Sequence, residues 1–270
     1  LPRNILAALV GANLAVSGLL LQSVMKNSLA DPGITGVSTG ASVMAVIILL
    51  LSPAYTSMLP FFAFIGGALA CTLVYIMAWK NGLHPGRIVL SGVAINTILG
   101  GVISYLSTMH SDKIQSAMLW LNGSLATKTW ADVNMLITYS IVGLIIALFL
   151  IRSANVLQLG DDAARNLGFN VNLTRLAISA VAVFLAATAT AVVGIISFVG
   201  LIVPHIARML MGSDHKYTIP FSIIFGAIVL LVAETLARTI GGPIEIPVGV
   251  IMSIIGGPFF LYLLRRKGSY

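Results

Sequence analysis

LAISAVAVFLAATATAVV, residues 176–193, runs for eighteen positions without a charged side chain. As a helix rising 1.5 Å per residue it would be about 27 Å long. The hydrocarbon core of a bilayer is about 30 Å thick, so this stretch reads as a membrane-spanning helix. A second run of the same kind, VNMLITYSIVGLIIALFLI, occupies 133–151. Its apolar residues are continuous rather than alternating, which argues against a β-barrel. Between the two lies VLQLGDDAARNLGFN, residues 156–170, a compact polar insert bracketed by glycines.

Moving outward with the same criterion gives about nine candidate spans. The clearest are 4–21, 59–79, 88–106, 133–151 and 176–193. Shorter or interrupted ones are 36–51, 195–210, 221–237 and 248–264. The composition agrees: the 270 residues are 58% hydrophobic and 9% charged, with a mean hydropathy of +1.03. The expected fold is an all-α, polytopic transmembrane helical bundle forming a single domain over 1–270.

A net charge of +7 would suggest nucleic acid in a soluble protein, but here the basic residues sit between apolar runs. Successive spans alternate in direction, so these residues sort to two sides. Eleven fall on one side: Lys26, Lys80, Arg87, Arg152, Arg165, Arg175, Arg208, Lys216, Arg265, Arg266 and Lys267. Four fall on the other: Arg3, Lys113, Lys128 and Arg238. The positive-inside rule places the first group, and with it the 156–170 insert, in the cytoplasm. Leu1 is then external with no signal peptide before it, from which an earlier span is expected to precede the numbered chain. The single cysteine, Cys71, excludes an intrachain disulfide framework and reads as packing.

In the insert, Asp161 and Asp162 open a short helix while Arg165 and Asn166 lie towards its end, each matched to the helix dipole. Gly160 and Gly168 supply turns on either side. By local chemistry it is either an ordinary solvated loop or a docking element. NSLADPG (27–33) and NGLHPGR (81–87) are turn-rich cytoplasmic connections, readable as tight turns or as polar closures at the inner end of a pathway. Pro204 is expected to break the apolar run around it, freeing backbone groups that His205 or Arg208 help to satisfy. His205 has no His or Cys partner at ligand spacing, and no metal site is expected. Glu234 and Arg238 are spaced for a local salt bridge; alternatively Arg238, with Arg3, receives an acidic partner from outside.

GVSTG (36–40) matches the serine-nucleophile pattern at Ser38 but opens a membrane helix, where small residues serve close packing. The external segment 108–130 holds Ile114, Met118 and Leu121 at helical spacing after a possible cap at Ser111, and reads as a short interfacial helix. No phosphate-binding GxxxxGK[ST] occurs, so ATP chemistry by a P-loop is excluded for this chain.

LPR at Leu1, GANLAVSGLLLQ at Gly11, NSLADPGITGVSTGA at Asn27, LGDDAARNLGF at Leu159, FVGLIVPHIARMLMGSDHK at Phe198 and IEIPVGVIMSIIGGPFFLYLL at Ile244 stand in order along the whole chain. Together they resemble the permease subunit of type II ABC importers, the FecCD family, which carries ferric siderophores, haem or cobalamin. The resemblance implies about ten helices in a full subunit. It implies that Gly160, Asp161, Asp162, Arg165, Asn166, Leu167 and Gly168 belong to coupling helices, at about 157–170, that fit a cytoplasmic ATPase. Asn27 and Leu29 match one cytoplasmic gate. His84 and Pro85 occupy the position of the other, where the family member compared has small hydroxyl residues. Ser28 stands where proline is common. Arg3 and Arg238 match positions that meet acidic residues of an extracytoplasmic substrate-binding protein. The implied partners are two ATPase subunits, that binding protein, an identical or homologous second permease, and the lipid of a bacterial cytoplasmic membrane. No cofactor is expected on this chain, ATP and Mg belonging to the ATPase. Ferric siderophore is the expected cargo by analogy with the family. An ion-coupled secondary transporter is the alternative of another class, but it wants intramembrane acids or inverted repeats.

Overall fold

The computed structural model describes residues 1–111, 113–240 and 245–267, which are helical with a single isolated β-bridge, Trp79 to Leu83. In chain order the helices are α1 (Pro2–Met25), α2 (Val37–Leu51), α3 (Leu59–Ala78), α4 (Pro85–Met109), α5 (Ile114–Leu121) and α6 (Trp130–Phe149). They continue with α7 (Ile151–Gln158), α8 (Asp161–Asn166), α9 (Val171–Val193), α10 (Val199–Met211), α11 (His215–Ile240) and α12 (Val248–Lys267).

Six helices are long and apolar enough to cross a bilayer: α1, α3 with the 3-10 turn before it, α4, α6, α9 and α11. Val37–Leu51 and Val199–Met211 are shorter apolar helices, and α12 is apolar over Val248–Leu261, so among the described residues six of the nine expected spans reach crossing length. Two boundaries differ from expectation. The run at 195–210 is not helical from its start, because Gly194 (φ 83°) and Phe198 (φ 70°) turn the chain before α10 begins. The run at 221–237 is longer than expected, since α11 passes through Pro220 and begins at His215. The carbonyl that Pro220 leaves without its intrahelical donor belongs to Lys216, in the exposed first turn, where water can serve it.

Helix α1 is the axis of the bundle. It packs on α6, α9, α10 and α11, and from Val10 to Met25 every residue is buried. Its backbone approaches its neighbours through paired glycines, Gly11 against Gly226 of α11 and Gly18 against Gly200 of α10; a Cβ on Gly11 or Gly18 would overlap the opposing backbone. Close approach through small residues is how apolar helices gain contact where lipid competes equally for apolar surface. Gly40 and Gly66 join α2 to α3 in the same way, which gives GVSTG its packing role; Ser38 sits in the first turn of α2 with no strand before it.

Three buried polar side chains of α1 bond to other helices. Asn13 Nδ2 donates to Ser140 Oγ at 2.8 Å, Ser17 Oγ to the Ala182 carbonyl at 2.6 Å, and Ser23 Oγ pairs with His215 Nε2 at 2.7 Å. Left unpaired at this depth, each would cost several kcal/mol on the order of its desolvation.

The expected break at Pro204 does not occur: α10 runs through it. Proline has no N–H to give the carbonyl four residues back, which is that of Gly200. Gln22 Nε2 of α1 donates to that carbonyl instead, at 3.0 Å, and Arg208 in turn donates to Gln22 Oε1. The supply therefore comes chiefly from another helix, with Arg208 holding the donor in place.

At the periphery, α4 buries only Ile88 and Gly92 and turns Leu90, Ile98 and Tyr105 outward. Helix α5 is present as expected but its N-cap is Lys113, not Ser111. Met118 faces out and Ala117 takes the buried position of that turn.

Candidate coupling and gating site

The insert at 156–170 folds as α7, a turn at Gly160, α8 and a turn at Gly168. Gly160 (φ 110°) and Gly168 (φ 82°) hold positive φ, which glycine adopts without a Cβ penalty, so the six-residue helix is set off from its neighbours by two sharp corners. Ala164 is buried against the bundle. The opposite face is bare: the Asp162 side chain is 98% exposed and Arg165 65%, and their 3.9 Å contact is a solvated pair of little energetic weight. Leu159 and Leu167 project outward beside them, while Asn166 and Gly168 are also exposed. Two apolar side chains flanking a charged pair make a mixed surface of the kind found at protein interfaces.

Asp161 behaves differently from its neighbour. Its Oδ1 receives Lys26 Nζ at 2.6 Å and Arg175 Nη2 at 2.9 Å. Burial alone would raise this carboxyl, but the hydrogen bond from Lys26 and the charges of Arg175 and Lys26 hold it below the usual aspartate value. Lys26 ends α1 in a left-handed conformation (φ 48°) and stands immediately before Asn27. Asn27 Oδ1 caps the turn by accepting the Leu29 N–H at 2.9 Å, and both side chains are exposed at its rim.

Arg175 is 1% exposed and also donates, through Nη1, to the Leu83 carbonyl. The Leu83 N–H is taken by Asn172 Oδ1 at 3.1 Å. The next residue, His84, is the exposed N-cap of α4, and Pro85 occupies its first helical position, where a missing N–H costs nothing. The structure thus brings α8, the 27–29 turn and the 83–85 turn together, and joins them through Asp161 and Arg175. Asn172 and Arg175 belong to no motif in the sequence. A signal for Arg175 exists all the same: a cation one turn into α9 opposes the helix dipole unless an anion is close.

Arg3 and Arg238 meet at the other end of the molecule. Arg3 is clamped between Glu234 (2.7 Å) and Glu245 (2.9 Å), and Glu234 is 2% exposed. Arg238 approaches Glu234 only to 3.8 Å and donates to Asn4 Oδ1 at 3.1 Å. The local i,i+4 pair anticipated from spacing is therefore the weaker contact, because Arg3 has taken the carboxylate. Arg3 lies near the start of α1 and Lys26 at its end, which at 1.5 Å per residue separates the two clusters by about 35 Å, a bilayer's thickness. Lys26 and Arg175, sorted to one side, share Asp161, and Arg3 and Arg238, sorted to the other, share Glu234.

The family model described as "FecCD transport family" matches residues 1–266. The Fe(3+)-citrate import system permease protein YfmE of Bacillus subtilis (strain 168) is 41% identical over 268 residues, covering 98% of this chain and 80% of that protein. The cobalamin import system permease protein BtuC of Halobacterium salinarum is 43% identical over 268 residues, 99% of this chain and 72% of that protein. Among solved structures, a metal-chelate type ABC transporter in an inward-facing conformation superposes with a TM-score of 0.90 at 29% identity, covering 98% of this chain and 85% of that one.

Proposed function

The chain belongs to the FecCD transport family, and from that premise we propose that it carries a ferric siderophore into the cytoplasm by ATP-driven alternating access. It is a multi-pass permease subunit of a bacterial ABC importer, with the transport rather than the catalytic role. The observation that carries the finer reading is α8: an exposed helix set off by Gly160 and Gly168 whose one inward carboxylate is tied to both cytoplasmic turns.

In this mechanism two ATPase subunits, holding ATP and Mg, receive the exposed face formed by Asp162, Arg165, Asn166 and Leu167. Their closure displaces α8, and with it the gates at Asn27 and Leu29 and at His84 and Pro85. Arg3 and Arg238 meet acidic residues of an extracytoplasmic binding protein, Arg238 being the more exposed of the two. The path forms between this chain and an identical or homologous second permease; α12 lies within the membrane with the long spans, and so do the shorter α2 and α10. The unit is one transmembrane domain over 1–270. Haem or cobalamin is the alternative cargo. A secondary transporter finds less support: of the described acids Asp132 and Glu234 lie within long spans, Asp132 capping the first turn of α6 and Glu234 ion-paired to Arg3.

In proteoliposomes, uptake of a radiolabelled ferric siderophore should require an ATPase subunit and a binding protein; ion-driven uptake by this chain alone would overturn the proposal. Replacing Gly160 and Arg165 with glutamate should uncouple ATP hydrolysis from uptake while external binding-protein affinity stays unchanged.

A further inference from the structure

The roles proposed for α8 and for the two cytoplasmic turns leave open how movement of one reaches the others. Helix α8 is only six residues long and its body contributes one buried side chain, Ala164, to the bundle. Packing of that extent gives little grip. The strong links are ionic and all pass through Asp161, the first residue of the helix.

On one side Asp161 holds Lys26 at 2.6 Å, and Lys26 is covalently the neighbour of Asn27. On the other it holds Arg175 at 2.9 Å, and Arg175 holds the Leu83 carbonyl one residue before His84. Arg175 itself rises from α9, 14 residues along the chain from Asp161 and 92 from Leu83, so the contact set joins four separate segments. A guanidinium suits this position because its planar fork can bond a carboxylate and a carbonyl at once with fixed geometry, which an ammonium cannot. Buried at 1% exposure, Arg175 cannot exchange these partners for water without losing much of its interaction energy.

We propose that Lys26, Asp161 and Arg175 form an ionic latch through which displacement of α8 is passed to both cytoplasmic gates, Lys26 serving the 27–29 turn and Arg175 the 83–85 turn. The proposal rests on α8 being the ATPase-docking helix. Arg175 acts as a positioning residue: it touches no cargo and no nucleotide, but it fixes the 83–85 turn relative to α8. Lys26 and Arg175 share one carboxylate oxygen, so Asp161 is the common element and each cation is specific to its own gate.

The branching predicts a pattern that simple loss of stability would not produce. The assay uses the assembled complex of permease, ATPase and binding protein in proteoliposomes, with Cys71 replaced by alanine and a single cysteine at Leu29 or at His84. The rate of labelling by a membrane-impermeant maleimide is measured with and without ATP and vanadate. In the parent, ATP and vanadate should change both rates by about fivefold or more, the scale of a modest coupling free energy. K26M should abolish the change at Leu29→Cys and leave it at His84→Cys. R175M should do the reverse, with R175K restoring less than the full response. D161N should abolish both.

Docking is read separately, by cross-linking an Asp162→Cys probe to the ATPase. No cross-link in the parent overturns the docking reading and the latch with it. A cross-link in every variant together with parental responses at both gates in D161N overturns the latch alone. Should R175M fail to assemble, K26M and D161N still decide: equal loss at both gates in K26M refutes the branched arrangement.

Discussion

Replacing Gln22 by methionine tests how α10 tolerates Pro204. The substitution keeps side-chain length and volume while removing the amide, so it isolates hydrogen bonding from packing. Gln22 is 4% exposed; its Nε2 donates to the Gly200 carbonyl at 3.0 Å and the Ala30 carbonyl at 3.2 Å, and its Oε1 accepts from Arg208. Two neutral bonds are worth about 1 kcal/mol each and one to a charged group about 1.5 to 3 kcal/mol, so the gross loss is about 4 kcal/mol. Hydrogen bonds inside membrane bundles fall at the low end of such ranges, which brings the expected net cost to about 2 to 3 kcal/mol. The diagnostic element is the background. In P204A the backbone regains an N–H that can bond the Gly200 carbonyl, so one of the three losses disappears and Q22M should cost about 1 kcal/mol less. SDS-induced unfolding in mixed micelles, followed through the three tryptophans, measures all four corners of the cycle. Independent sites add to within about 0.4 kcal/mol, so equal costs on the two backgrounds at that precision would mean that Gln22 does not serve the carbonyl freed by Pro204.

The Asp161 carboxyl titrates below its unfolded value, so its contribution is fully present above about pH 4 and is lost as pH falls through the folded pKa. Wild-type stability should therefore drop more steeply than that of D161N on acidification from pH of about 4, and parallel curves would show that the Lys26 and Arg175 contacts do not bias the charge state. R3Q leaves Glu234, 2% exposed, with the 3.8 Å contact to Arg238 as its ion pair among the described residues, and should cost about 2 to 3 kcal/mol; R3Q with E234Q should recover most of it. A cost below about 0.5 kcal/mol for R3Q would make the cluster an ordinary surface pair. Gly18→Ala drives a methyl into the Gly200 backbone and should destabilise by about 1 to 3 kcal/mol, whereas Gly101→Ala, which meets nothing within 4 Å, should be neutral or slightly stabilising. Equal thermal shifts for the two would remove the close α1–α10 approach as a constraint.

What the sequence disclosed and what it withheld divide by the range of the interaction. Continuous apolar runs such as 133–151 and 176–193 carry their own evidence for helix, and α6 and α9 fall within a few residues of them. Gly160 and Gly168, two acids at a helix start and one arginine at its end are likewise local signals, and α8 forms where they stand. Pro204 shows the limit. Within a window of neighbours a proline without its N–H reads as a break, and only a donor 178 residues away, Gln22 to the Gly200 carbonyl, allows the helix to continue. The pairing of Glu234 fails for the same reason: spacing favours Arg238 four residues on, while Arg3, 231 residues distant, has the shorter contact. Which helices flank α1 decides both cases, and no periodicity along the chain encodes that. Arg175 lies between these extremes. Counted only by the side of the membrane it occupies, it is one basic residue among eleven. Set against the dipole of the helix it enters, it demands an anion, and Asp161 stands 14 residues before it across a glycine corner. Its second partner, the Leu83 carbonyl, is a backbone group with no side-chain signature at all, so the link from α8 to the 83–85 turn becomes visible only once α9 is placed beside α4's first turn.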